Sequence, residues 1–154
     1  MNMNENKDKV DTKKRGEFGL SIQVRLVSDL KKSQEYYRDV LGCRVDDWGH
    51  AERDGMMIIL QQANSPNDVR PNALAKKRPD YPTDWEGPDY GWDTYIHVSW
   101  DDLDSLFEEV RGNGGQIAAE PFTGIHGKWE FKNTCIKDPD GYTIVLGSMR
   151  EINV

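Results

Sequence analysis

This 154-residue chain is short of cysteine, of histidine and of positive charge, and each shortage removes a class of function. Its two cysteines, Cys43 and Cys135, are not spaced as CxxC, so they provide neither a disulfide framework nor a zinc ribbon. A reducing, cytoplasmic setting is expected. Lys and Arg number 20 against 27 Asp and Glu, a formal charge of −7. Phosphate-backbone binding needs clustered cations, so nucleic acid is not an expected partner, whereas cationic ligands suit the acidic balance. No apolar run approaches the roughly 18 residues of a membrane helix, and the polar first 16 residues lack the apolar centre of an export signal. That segment reads as a disordered tail. GxGxxG, GxxxxGK[ST], HExxH and GxSxG are all missing, so dinucleotide, P-loop, zincin and nucleophile-elbow chemistries have no foothold.

What the chain does contain is a repeat. Asp29-Leu30 and Asp102-Leu103 lie 73 residues apart, as do Gly42 and Gly115. Each copy then carries an Asp-Gly pair before an apolar run: Asp54-Gly55 before Met56 to Leu60, and Asp140-Gly141 before Tyr142 to Leu146. Asp-Gly between strand-like runs signals a hairpin. The expected class is α+β, with two βαβββ modules in one domain spanning 17–150: module one at 17–63, a connector at 64–91 and module two at 92–150.

Phe18 to Val27 alternates, with Leu20, Ile22, Val24 and Leu26 on one side and Ser21, Gln23 and Arg25 on the other. Ser28 or Asp29 offers an N-cap to a helix reaching Leu41, and Gly42 stops it. Three short strands follow: Cys43 to Trp48, His50 to Arg53 and Met56 to Gln62. The connector holds five of the seven prolines, with a short helix near Ala73 to Lys77, and its Trp85 and Tyr90 suit a flap over apolar surface. Thr94 to Trp100 leads module two, and Asp101 or Asp102 caps a helix on Leu103, Leu106, Phe107 and Val110. Strands at Gln116 to Glu120, Lys128 to Lys137 and Tyr142 to Ser148 complete it.

VSDLKKSQEYYRDVLGCRV (Val27 to Val45), DDLDSLFEEVRGNGG (Asp101 to Gly115) and DPDGYTIVL (Asp138 to Leu146), in that order and spacing, resemble the vicinal-oxygen-chelate superfamily of glyoxalases, bleomycin-resistance proteins and extradiol dioxygenases. The resemblance implies a cupped, incompletely closed mixed sheet around a ligand cavity, usually in a homodimer. It also implies, in metal-dependent members, a divalent ion held from four strand positions. Seven residues before each helix-capping Asp, and four after each hairpin Gly, those positions are Ile22, Ile59, Tyr95 and Val145. None is a usual ligand. The expectation is therefore a metal-free member without cofactor, which binds and sequesters a small organic molecule as bleomycin-resistance-like members do.

Tyr95, His97 and Ser99 share one side of their strand, as do Trp129, Phe131, Asn133 and Cys135. An aromatic wall beside an amide suits a flat or cationic ligand. The expected ligand-binding residues are Tyr95, His97, Trp129, Phe131, Asn133 and Ile59, with no catalytic residue. His126 lies in a glycine-flanked stretch, Thr123 to Gly127, that reads as a mobile lip. Trp48 and Trp100, at strand ends, suit an interface or the pocket rim, and Asp46-Asp47 reads as a solvated strand end. Two alternatives stay open: a glyoxalase-like metalloenzyme with an unfamiliar ligand set such as His97, His126 and a carboxylate, and a non-catalytic protein-interaction module.

Overall fold

The computed structural model describes residues 15–76 and 91–153, so Trp85, Tyr90 and the N-terminal tail up to residue 14 lie outside the described residues. The element order is β1 (Gln23–Val27), α1 (Leu30–Asp39), β2 (Arg44–Val45), β3 (His50–Arg53) and β4 (Met56–Gln62). Then come β5 (Thr94–His97), α2 (Leu103–Gly112), β6 (Gln116–His126), β7 (Trp129–Lys137) and β8 (Thr143–Glu151). Each half is a βαβββ unit. The strands form two open four-stranded mixed sheets, ordered β1-β4-β3-β2 and β5-β8-β7-β6, in which the lead strand pairs parallel with the last and the rest are antiparallel.

The inner face of each sheet carries its helix, and both halves share one core. Ile58, Leu60, Val27 and Ala51 of the first sheet meet Ile136, Ile144 and Leu146 of the second through Tyr37, Val40, Leu41, Val110 and Tyr142. The side of β1 that faces this core is Arg25 and Val27; Val24 and Leu26, its apolar side, point outward and are exposed, as is Ile22 just before the strand. Arg25 tolerates the interior because both terminal nitrogens of its guanidinium are met. It donates to the Tyr37 hydroxyl at 3.1 Å, to Gln23 Oε1 at 2.9 Å and to Thr94 Oγ1, and it lies 4.6 Å above the Tyr142 ring. The Tyr37 hydroxyl in turn donates to buried Asp138 Oδ2 at 2.9 Å, while Asp138 Oδ1 accepts from the backbone of Asp140 and Tyr142. This network stitches module one to module two.

Several local expectations need correcting. β1 begins at Gln23 rather than Phe18, and β2 spans only Arg44–Val45. β6 runs through Pro121 to His126, with register shifts on either side of Ala119, because an edge strand with bulges tolerates a proline that a central strand would not. Asp29 caps α1, accepting from Lys32 N at 3.1 Å, but Asp102 makes no side-chain cap bond and Ser99 Oγ instead accepts from Asp102 N. Asp46 is an organised turn residue: Oδ1 accepts from the backbone of Trp48 and His50, and Oδ2 meets His50 Nδ1 at 2.7 Å. The connector forms a 3-10 turn at Asn72–Leu74 that does not continue through Ala75 and Lys76 as the expected short helix would; Lys77 lies outside the described residues.

Candidate functional site

β5 is the edge strand of the second sheet, and its alternation divides its side chains between two environments. Thr94 and Ile96 turn inward, whereas Tyr95 and His97 lie on the outer face. The pairings continue that face across the sheet: Tyr95 beside Val145 and Cys135, His97 beside Gly147 and Asn133, then Met149 with Phe131 and Glu151 with Trp129. The structure therefore brings Tyr95, His97, Asn133, Phe131 and Trp129 onto one surface. Ile59 is placed elsewhere, on the outer face of the first sheet between Val24 and His50.

Two features of this surface point to a ligand. Asn133 is 3% exposed, yet its Oδ1 has no hydrogen-bond partner among the described residues. A buried acceptor left unmade costs about 1–3 kcal/mol, which a ligand N–H or O–H recovers once the side chains that cover it move aside. The Tyr95 ring lies directly over Gly147, where a Cβ would come within 2.3 Å of the phenol oxygen, and it stacks on Trp92 at 6.1 Å between centroids. Burial raises the Tyr95 pKa, so it presents a neutral phenol. Gly147 escaped sequence reasoning; the available signal was a glycine inside the apolar run Thr143 to Leu146 and beyond, which in a strand marks close approach of another group.

The remaining candidates are dispersed. His126 ends β6 at a tight hairpin in which Gly127 takes φ 58°, directly paired with Trp129, so the expected mobile lip is a strand end. Trp100 packs on the inner side, under Lys132 and Arg150 at 4.5 and 4.0 Å from its centroid, and is not a rim residue of this surface. Trp48 is exposed in the β2–β3 turn. On the other side of β5 a cleft of about 450 Å³ opens between the β3–β4 hairpin, β5 and α2.

The register also tests the metal expected of the resemblance. Tyr95 pairs with Val145, and Ile59, four residues past the first hairpin glycine as Val145 is past the second, pairs with Val24. The β1 position is thus Val24, two residues from the Ile22 expected, because two extra residues separate β5 from α2. Val24, Ile59, Tyr95 and Val145 offer one neutral phenol and no imidazole or carboxylate, so a divalent ion does not fit there. His97 and His126 lie three strands apart and at different levels along them, more than about 14 Å at ordinary strand spacing and too far to share an ion. Among the described residues no three His, Cys, Asp or Glu side chains gather closely enough to hold one.

Known proteins agree with this architecture. A "probable lactoylglutathione lyase" of Synechocystis is 28% identical over 132 residues, covering 84% of this chain and 93% of that protein. A glyoxalase/bleomycin resistance protein/dioxygenase from Alicyclobacillus acidocaldarius superposes with a TM-score of 0.62 at 13% identity, over 84% of this chain and 90% of that one. TioX from Micromonospora sp. ML1 does so at 0.54 and 14%, over 85% and 98%. The family model of the glyoxalase/bleomycin resistance protein/dioxygenase superfamily matches residues 21–146, and the chain belongs to that superfamily.

Proposed function

We propose that this protein binds and sequesters a small organic molecule, flat and aromatic or cationic, on the outer face of its second sheet, without a metal and as a homodimer. The observation that carries the reading is the unpaired Asn133 Oδ1 among Tyr95, His97, Phe131 and Trp129, on a sheet whose metal positions hold no imidazole or carboxylate. The phenol, the indole and the phenyl ring supply stacking and quadrupole attraction, and the orphan amide oxygen accepts one donor from the ligand. In this reading no bond is made or broken. The two cysteines are buried, and burial pushes the Cys43 thiol up to about 11, which suits an inert structural role in a reducing cytoplasm.

The test is metal analysis of untagged protein dialysed against Zn²⁺, Mn²⁺, Ni²⁺ and Fe²⁺, followed by tryptophan-fluorescence titration with cationic aromatic dyes. The reading expects metal far below one per chain and saturable quenching that Asn133→Leu weakens by about tenfold, the loss of one buried hydrogen bond. Metal near one per chain together with lactoylglutathione-lyase turnover would overturn it. That second reading, a metal-dependent lyase, is favoured by the name of the cyanobacterial relative.

A further inference from the structure

The two modules are duplicates, but the seam between them is filled on one side and open on the other. Aligning the hairpins on Gly55 and Gly141 makes Met56 the counterpart of Tyr142. Aligning α1 and α2 on Leu30 and Leu103 makes Val110 the counterpart of Tyr37. The parallel pairings Arg25 with Leu60 and Ile96 with Leu146 make Ile96 the counterpart of Arg25. On the filled side Arg25, Tyr37 and Tyr142 interlock, and Tyr142 also donates to the Leu26 carbonyl at 2.6 Å. On the open side Ile96, Val110 and Met56 are shorter and apolar, and all three line the cleft of about 450 Å³.

We propose that this cleft is a second binding site, adjoining the outer face of the sheet at β5, for a compact neutral hydrophobic molecule about the size of a substituted naphthalene. Its volume lies in the range of small-molecule sites, roughly 300–1,000 Å³. Leu106 and Leu146 extend the aliphatic wall, and Met57 beside Met56 supplies side chains that adapt to irregular shapes. The cation at the lip, Arg53, is occupied by Glu109 at 2.6 Å and the Leu41 carbonyl at 3.0 Å, so it does not select for an anion. β5 borders both sites: Ile96 faces the cleft, and Tyr95 and His97 of the outer face also contribute to its lining. The inference does not depend on the ligand proposed for the outer face.

The experiment is fluorescence titration of the full chain with N-phenyl-1-naphthylamine, a neutral apolar probe. Wild type is expected to bind one probe per chain saturably. Val110→Tyr and Met56→Tyr, which copy the tyrosines of the filled side, are expected to weaken binding by at least about tenfold, since a filled pocket leaves no room for the probe. Asn133→Leu and Phe131→Ala, on the outer face, are expected to leave probe binding unchanged, so that failure here and failure of the sequestration reading are told apart. Should Val110→Tyr not fold, Met56→Tyr at the half-buried hairpin decides alone. Absence of saturable binding by wild type overturns the proposal, and so does binding that survives the tyrosine variants but is lost in Phe131→Ala.

Discussion

At the scale of single residues, the seam depends on a carboxyl that pays for its burial. Desolvation raises the Asp138 pKa, opposed by the Tyr37 hydroxyl, the Tyr142 backbone N–H and the Arg25 guanidinium, 3.9 Å away. A carboxyl whose folded pKa exceeds its unfolded value of about 4 binds its proton more tightly in the fold. Its contribution therefore favours folding as pH falls through the folded pKa and disfavours it as pH rises through the same point. Asp39, Asp46 and Glu109, whose pKa values are lowered, act in the opposite sense, so the comparison must be a difference. Urea unfolding of wild type and Asp138→Asn between about pH 4 and 7 is expected to show the wild-type advantage shrinking as pH rises. A difference that is flat or grows with pH refutes the assignment.

At the scale of elements, what was legible in the sequence is what local rules control. The helices, the Asp-Gly hairpins and the module order follow from periodicity, capping and turn chemistry; in the first hairpin Asp54 itself takes the left-handed φ of 51°. The five residues of the outer face were also legible as a set, because strand alternation places 95 with 97 and 129 with 131 and 133. The facing of β1 was not, since alternation separates two sides without saying which is buried, and here the side with an arginine is. Partners 12 to 69 residues away, Tyr37 and Thr94, decide that. The two helix caps make the same point. Both start with an aspartate before a leucine, yet only the Asp29 side chain accepts a backbone hydrogen bond from its helix. Asp29→Ala is expected to cost about 1 kcal/mol in denaturant unfolding, the usual worth of an N-cap, and Asp102→Ala a few tenths at most.

At the scale of the whole molecule, packing both helices into one central core leaves apolar side chains exposed on the outer side of both sheets, although Asn133, Cys135 and Val145 on the outer face of the second are buried. Val24 is 54% exposed, Leu26 38%, Tyr95 43% and Met149 44%. A soluble monomer rarely leaves such residues uncovered on neighbouring strands, and a twofold axis lets a second copy cover both faces at once. Charge placed on β1 separates this from a merely tolerant surface. Val24 and Leu26 make no contribution to the central core, so Val24→Glu with Leu26→Glu should leave the thermal midpoint of the isolated chain near its original value. Light scattering after size exclusion should show wild type at twice the chain mass of 17.7 kDa and the double variant at that mass alone. Wild type found as a monomer at tens of micromolar, or a double variant that still dimerises, removes the second copy as the cover. Should monomerisation also abolish dye binding at Asn133, the outer-face site is completed across the interface and the ligand reports on assembly.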